Sequence, residues 1–496
     1  MTSPLDSPAA AGLAETGTSR GNPAYLAGVC LVASLGGLLF GFDTAVISGT
    51  FGFVETQFGL SKLEVGWFGS AALVGCIMGA AVAGGLGDRF GRKPVLMAAA
   101  LCFFLSALYS AIPPSFRVLI AARIVGGWGV GMASVLAPIY ISEFSPPHLR
   151  GRLVATYQLS IVIGILAAYF SNWSILRFAQ QHPDALGGEG FLHWTLVAEV
   201  WRGMFGAEMI PAALFCLLLF AVPESPRWLV KAGREASALR ILARVNGPEI
   251  AQREVAEIRG AMTSEAGSLS ELLQPGLRTA LVLALGLAIF GQLTGVNIVV
   301  YYGPTILKEA GLDMGGALQF QVLFGVINLL ATLIAIWKVD RWGRRPLLIW
   351  GMALVTAAMA LTALLLLCKA PAIWIVVLLC VYMGCVALSI CGVIWVLLPE
   401  IFPNRIRGRA MSIGTFAVWT TNAVATLLFP LYVKEYGVHT GFFTFAGLCL
   451  AATVFFWRLV PETKGKSLEE IERHWESMMP LLCSPPTRDD GEGQRR

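Results

Sequence analysis

Long apolar runs alternate with short polar stretches from about residue 24 to residue 460. A helix needs about 20 mainly apolar residues to cross ~30 Å of hydrocarbon. Twelve stretches meet this requirement, at about 24–50, 66–86, 95–112, 117–141, 153–175, 204–222, 279–302, 317–338, 347–367, 372–398, 410–433 and 441–460. Since a chain in lipid must satisfy its backbone hydrogen bonds internally, the pattern predicts an all-α membrane protein with twelve transmembrane helices, numbered here as spans 1 to 12.

The composition supports this interpretation. Of 496 residues, 56% are hydrophobic and 14% are charged, whereas soluble domains have about 25% charged residues. The net charge of +5 gives no reason to expect a nucleic-acid partner. The ten cysteines form no CxxC pair and the five histidines are scattered, so we expect packing residues rather than disulfides or a metal site. The sequence has no nucleophile–base pair or phosphate-binding loop that would indicate an enzyme.

Positive charge is concentrated in the loops after spans 2, 4, 8 and 10. These loops contain Arg89, Arg92, Lys93, Arg150, Arg152, Arg341, Arg344, Arg345, Arg405, Arg407 and Arg409. Because short cytoplasmic loops are enriched in Lys and Arg, we expect these loops and both termini to be cytoplasmic.

The chain is predicted to have five parts. A polar connection after span 6 carries dense mixed charges, with apolar residues such as Leu239 and Leu242 at helical spacing, which indicates amphipathic helices. We therefore divide the chain into a disordered leader, a six-helix bundle, a helical linker, a second six-helix bundle and a C-terminal helix with a tail, at 1–22, 23–222, 223–274, 275–462 and 463–496.

Two charged motifs occur twice. GDRFGRKP (87–94) returns as VDRWGRRP (339–346), and EFSPPHLRGR (143–152) returns as EIFPNRIRGR (400–409) at nearly the same separation. We call the first pair the DRxGR loops. The repetition indicates that the two halves share one plan. Because hydrocarbon excludes such charges, each motif is expected to be a tight loop at a membrane surface.

These motifs resemble those of the sugar porters of the major facilitator superfamily. The likeness also includes PESPRWL (223–229), QLTGVN (292–297) and PETKG (461–465), covers roughly residues 25–478, and is greatest to bacterial proton-coupled xylose and hexose symporters. It implies two pseudo-symmetric six-helix bundles with one sugar site between them at mid-membrane, which agrees with the general build of repeat transporters. It also implies import of a monosaccharide together with a proton.

Asp43 is a carboxylate in the middle of span 1, and Arg123 in span 4 is its natural partner. An ionisable residue at the bilayer centre costs about 2.5–3.5 kcal/mol on insertion scales, so it is a functional candidate. The resemblance implies that this pair couples the proton. The alternative is a structural ion pair that holds spans 1 and 4 together.

Sugar recognition requires amides or hydroxyls for the sugar hydroxyls and aromatic rings for its C–H face. The candidates are Phe40, Gln158, Gln292, Asn297, Tyr301, Asn328, Trp395, Trp419 and Asn422. Taken singly, such polar residues also act as contacts between helices, but the resemblance favours a sugar site for the set. Two departures leave the identity of the sugar in doubt: Gly291 stands where the family commonly has Gln, and Val418 precedes the span 11 Trp where these symporters have Gln.

The charged loops are interpreted as a cytoplasmic gate. The residues are Asp88, Arg89, Arg92, Glu143, Arg150, Arg152 and Glu224 in one half, and Asp340, Arg341, Arg344, Glu400, Arg407, Arg409 and Glu462 in the other. Such mixed charges are expected to form salt bridges between the bundles when the cytoplasmic side closes. The alternative is that the loops only set topology, but topology requires Lys and Arg alone, so the repeated acids favour the gate.

The sequence thus predicts a proton-coupled pentose or hexose symporter of the bacterial inner membrane that works by alternating access. A facilitative uniporter with the same sugar site is the first alternative, and a non-transporting membrane sugar sensor is a remote one. The expected partners are a monosaccharide, a proton and the lipid bilayer. No metal or cofactor is expected beyond the proton as coupling ion, and the protein is expected to be a monomer.

Overall fold

The computed structural model describes residues 21–146, 149–185, 190–261, 272, 277–402 and 406–462. Within these residues, twelve helical segments are long and apolar enough to cross a membrane: Pro23–Gly49, Lys62–Phe90, Arg92–Ala111, Phe116–Phe144, Arg150–Gln181, Val200–Ala221, Leu277–Glu309, Met314–Val339, Arg344–Leu367, Ala372–Trp395, Arg409–Tyr436 and Val438–Leu459. The predicted number of spans is confirmed. Residues 1–20 of the predicted leader and the whole predicted C-terminal segment, 463–496, lie outside the described residues.

Several helices differ in length from the predicted spans. Span 5 continues to Gln181, beyond the predicted end at 175, because no helix breaker occurs before Pro183. The helices of spans 8 and 11 cover Met314–Trp342 and Arg407–Tyr436. A short helix, Phe51–Phe58, follows span 1, and a π-helical turn, Trp194–Ala198, precedes span 6.

Three spans are interrupted within their length. Span 6 consists of Val200–Gly206 and Met209–Ala221, span 7 of Leu277–Leu293 and Val296–Glu309, and span 10 of Ala372–Leu388 and Ile390–Glu400. In span 7 the break coincides with Gly295, whose φ of 84° suits glycine. Interrupted helices in transporters expose backbone groups near mid-membrane, where substrate and ion sites lie.

The packing between spans follows the internal repeat. Spans 1 to 6, which precede the linker in the chain, pack together as one bundle, and spans 7 to 12, which follow it, pack together as a second bundle. Across the two bundles, span 2 packs against span 11 and span 5 packs against span 8. These two contacts exchange when each span is replaced by its repeat partner, six spans along, so the bundles are related by a pseudo-two-fold.

The linker folds into helices with a small core of their own. The helices are Pro226–Lys231, Glu235–Asn246 and Pro248–Ala261. Their apolar faces meet in a cluster formed by Leu229, Val230, Ala238, Leu242, Ala251 and Val255. The linker contacts the DRxGR loop of the first half, since Lys231 pairs with Asp88 at 3.4 Å. We call this side of the protein the arginine-rich end.

Candidate functional site

Asp43 and Arg123 form a buried ion pair between spans 1 and 4. Arg123 Nη1 donates to Asp43 Oδ1 at 2.6 Å, and Nη2 donates to the Asp43 backbone carbonyl at 3.1 Å. Each residue is 1% exposed. The Arg123 guanidinium also lies over the Phe205 ring, with Cζ 5.4 Å from the centroid. The predicted pairing is therefore present in the structure, although its role in proton coupling stays a prediction.

Glycine in span 4 makes room for this pair. A Cβ added at Gly126 would lie 2.3 Å from Ser106 Oγ and 3.4 Å from Asp43 Oδ1. The absence of a side chain at Gly126 thus lets spans 1 and 3 approach span 4 beside the ion pair. Ser106 is buried, and its hydroxyl has no hydrogen-bond partner among the described residues.

Glu208 is a second buried carboxylate at the same place, and our sequence analysis missed it. It lies at the break in span 6, is 0% exposed, and interacts electrostatically with Asp43 and Arg123. No donor in the part of the chain that the structure describes reaches either of its carboxylate oxygens, and its carboxyl interacts directly with that of Asp43. The signal was available: Glu208 is an ionisable residue inside a predicted span, which is the criterion that selected Asp43.

The second half contributes neutral polar groups. In span 7, Asn297 Nδ2 donates to Gln292 Oε1 at 2.6 Å across the helix break. In span 11, Asn422 Nδ2 donates to Tyr301 Oη at 3.4 Å, and Asn422 Oδ1 accepts a 3.2 Å hydrogen bond from Thr426 Oγ1. The structure thus brings four predicted sugar-contacting residues into two adjoining hydrogen-bonded pairs.

Phe40 and Trp419 connect the two halves. Their ring centroids are 5.4 Å apart at an interplanar angle of 48°. Trp419 is 5% exposed, and its indole N–H has no hydrogen-bond partner among the residues described. Phe40 lies about one helical turn before Asp43. The ring contact therefore connects the helix that carries Asp43 to the second half, which carries the amide side chains.

The other residues predicted to contact the sugar are less buried. Gln158 and Asn328 are half-buried, and Trp395 is 42% exposed. The structure describes no hydrogen bond from their side chains, so their contact with a sugar stays a prediction. At the departure Gly291, a Cβ would lie 3.3 Å from Ile394 Cδ1 and 3.4 Å from Ile390 Cγ1, so a side chain there requires only a small shift of these isoleucines.

At the arginine-rich end, Arg92 is tied into the first half. Its Nε and Nη2 donate to the two carboxylate oxygens of Glu143 at 3.1 and 3.0 Å, and its Nη1 lies 3.0 Å from Asp88 Oδ1. The Ser225 hydroxyl also donates to Glu143. Such a two-pronged arginine–carboxylate contact fixes the geometry of both partners.

Glu224 and Glu462 have matching positions in the two halves. Glu224 accepts the backbone N–H groups of Arg92 and Lys93, and Glu462 accepts those of Arg344 and Arg345. Each glutamate thereby caps the helix that follows a DRxGR loop. Burial raises the pKa of Glu224, and the hydrogen bonds from Ser225, Lys93 and Arg92 oppose this shift.

The two glycines of the DRxGR loops explain how the caps fit. Gly91 and Gly343 have φ values of 103° and 87°. A Cβ would lie 2.3 Å from Glu224 Oε2 at Gly91, and 2.6 Å from Glu462 Oε2 at Gly343. Glycine is needed both for the backbone conformation and for the space that the carboxylate occupies.

The contacts described for Arg92, Asp88, Glu143 and Glu224 lie within the first half, and those from Arg344 and Arg345 to Glu462 lie within the second. Arg89, Arg150, Arg152, Arg341 and Arg409 are exposed. The side chains of Asp340, Glu400 and Arg407 lie outside what the structure describes. Salt bridges between the halves in a closed state therefore stay a prediction.

Comparisons with known proteins agree with this architecture. The family model "Sugar (and other) transporter" matches residues 29–475. The chain is 39% identical to the arabinose-proton symporter of Bacillus subtilis, with 90% of this chain and 94% of that protein covered. It is also 39% identical to the D-xylose-proton symporter of Escherichia coli, with 92% and 96% covered.

Solved structures give the same result. The inward open conformation of the xylose transporter XylE from E. coli matches with a TM-score of 0.78 at 37% identity, covering 91% of this chain and all of that one. The proton:xylose symporter XylE bound to 6-bromo-6-deoxy-D-glucose matches with a TM-score of 0.74 at 37% identity, covering 92% of this chain and all of that one. This chain belongs to the sugar transporter family and has the major facilitator fold.

Proposed function

We propose that this protein imports a monosaccharide of the pentose or hexose class together with a proton, by alternating access. The observation that carries the proposal is the cluster of Asp43, Arg123 and Glu208, fully buried one helical turn from an aromatic contact between the halves. A relative named as an arabinose-proton symporter and another named as a D-xylose-proton symporter support the same assignment.

The cluster has the charge balance of a proton site. Two buried carboxylates share one guanidinium, so ionisation of both leaves an uncompensated negative charge away from water. One carboxyl therefore holds a proton while the cluster is dry. Opening to water on one side stabilises the second carboxylate, and the proton leaves. A purely structural ion pair needs only Asp43 and Arg123.

The second half is suited to holding the sugar. Gln292, Asn297 and Asn422 offer amide donors and acceptors, and the unpartnered indole N–H of Trp419 offers another donor. Trp419 also presents an aromatic face against Phe40. A sugar held here contacts the ring that lies one turn from Asp43, which links sugar occupancy to the position of span 1.

The arginine-rich end is proposed to be cytoplasmic, in line with the positive-inside rule. The protein is proposed to act as a monomer, with the two bundles rocking about the sugar site. Motion of this kind suits the symmetric contacts of span 2 with span 11 and of span 5 with span 8.

The test is uptake into proteoliposomes with an imposed inward proton gradient, across a panel of labelled pentoses and hexoses. We expect at least one sugar to accumulate above its external concentration, and a protonophore to abolish the accumulation. Downhill entry that the protonophore leaves unchanged would indicate a facilitative uniporter. A panel with no transported sugar would contradict the proposal.

A further inference from the structure

A second pocket lies at the arginine-rich end, remote from the sugar site. It has a volume of about 310 Å³ and is lined by Tyr25, Ser237, Arg240, Ile241 and Arg244. Tyr25 belongs to the first turn of span 1, and the other four residues belong to the linker helix Glu235–Asn246. The pocket therefore lies where the linker meets the end of a membrane span.

The positive charge of this pocket has no acidic partner among the described residues. Arg240 and Arg244 are one helical turn apart on the same face, and both are exposed. Neither forms an ion pair within the described residues. On the same linker, by contrast, Arg259 is paired with Glu235. Within the part of the chain that the structure describes, the two guanidinium groups are therefore available to a negatively charged ligand.

The polar groups of the pocket are already oriented. The Arg244 guanidinium lies over the Tyr25 ring, with Cζ 4.1 Å from the centroid, and the Arg244 carbonyl accepts the Asn22 N–H at 2.9 Å. Arg240 Nη2 donates to Ser237 Oγ at 3.2 Å. Because Ser237 accepts this bond, its own hydrogen is left to donate to a ligand.

Helix polarity adds to the positive potential. The N-terminus of span 1 begins at Pro23, directly beside the pocket, and Asn22 caps it by accepting the Tyr25 N–H at 3.0 Å. A helix N-terminus carries a partial positive charge that favours anions. Residues with two guanidinium groups and two hydroxyl groups therefore line one pocket near a helix N-terminus.

The geometry points to a binding site for a phosphoryl group in this pocket. Guanidinium forks match the oxygen spacing of phosphate, and the hydroxyls of Ser237 and Tyr25 supply further donors. The phosphoryl group belongs either to the headgroup of an anionic phospholipid at the membrane surface or to a soluble phosphate. Bound there, it joins the linker to the start of span 1, the helix that carries Asp43.

The test measures binding by isothermal titration calorimetry to the purified full-length protein in detergent. The probes are inorganic phosphate and the short-chain lipid dihexanoyl phosphatidylglycerol. We expect the double variant Arg240→Gln/Arg244→Gln to bind at least tenfold more weakly than the wild type. Arg253→Gln removes one charge from an exposed site on the neighbouring helix and serves as the matched control, expected to bind within twofold of the wild type.

The two probes separate the two sources. Binding of inorganic phosphate supports a soluble ligand, and binding of the lipid alone supports a headgroup. The proposal is overturned if neither probe binds the wild type, if Arg240→Gln/Arg244→Gln binds within twofold of the wild type, or if Arg253→Gln weakens binding as much as the double variant. Because the site shares no residue with the sugar site, retained sugar uptake by the double variant shows that it is folded.

Discussion

The two halves of this transporter share a scaffold but bury different chemistry. The first half encloses Asp43, Arg123 and Glu208, whereas the matching region of the second half presents Gln292 and Asn297. Span 10, the repeat partner of span 4, contains no charged residue between 372 and 395. The charged ends, by contrast, are built alike, with a glutamate capping a helix in each half. The duplicated elements thus form the common scaffold, and the residues that are not duplicated are those proposed to bind the proton and the sugar.

The largest effect is expected from Asp43→Asn. The change removes the charge that Arg123 balances while preserving the size of the side chain, so the cluster no longer cycles a proton. Accumulation against a sugar gradient is expected to be lost entirely, whereas sugar counterflow between equal concentrations persists. Both are measured in proteoliposomes. Loss of counterflow in a folded variant would show that Asp43 serves the sugar site as well, and would weaken the contrast between the halves.

Glu208→Gln is expected to have the next largest effect. Removal of this carboxylate leaves Asp43 and Arg123 as a balanced pair that has no need of a proton. We expect accumulation to fall about tenfold or more, with counterflow preserved, measured as the ratio of internal to external sugar. Unchanged accumulation would mean that the Asp43–Arg123 pair alone is sufficient for proton coupling and that Glu208 has a structural role.

Gln292→Ala tests the other half. A lost neutral hydrogen bond costs about 1–1.5 kcal/mol, which corresponds to roughly a five- to twelvefold rise in KM for sugar. The pH dependence of uptake is expected to stay as in the wild type, since no titratable group changes. Initial uptake rates against sugar concentration at several pH values measure both. A shifted pH profile would contradict the division of labour between the halves.

The smallest effect, and the most symmetric, is expected from Glu224→Ala and Glu462→Ala. Each removes a helix cap, which costs about 0.5–2 kcal/mol, so the two variants should lower the Tm by similar amounts. Glu235→Ala, which removes an exposed ion pair, is the control and should change the Tm less. Thermal unfolding of the purified protein measures all three. A large drop from one cap alone would show that the two ends are not equivalent.

The sequence predicts the spans well because every helix that crosses the hydrocarbon needs a long, mainly apolar stretch. It predicts the Asp43–Arg123 pair for the same reason, since both are ionisable residues inside apolar runs. Glu208 obeys that rule too, but its position beside Asp43 depends on how span 6 packs, which no local pattern encodes. The helix break at Ser389 in span 10 could not be predicted either, because neither glycine nor proline occurs at the break itself.

The structural role of Glu224 and Glu462, in the motifs PESPRWL and PETKG, could not be predicted from the sequence either. Glu224 and Glu462 were predicted as charges near a gate, whereas the structure shows each accepting two backbone N–H groups. Sequence spacing cannot reveal this contact, because Glu224 reaches a helix more than one hundred positions earlier in the chain. The reach depends on how spans 3 and 6 pack side by side.

The carboxylates that occupy the Cβ positions of Gly91 and Gly343 limit how this protein can vary over evolution. The glycine and the glutamate of each half form one steric unit, although they lie far apart in the chain. An alanine in the loop has no room until the acid is lost, and loss of the acid leaves a helix end without its cap. A change at either site therefore costs stability, and the glycine and the acid are coupled in this way independently in each half.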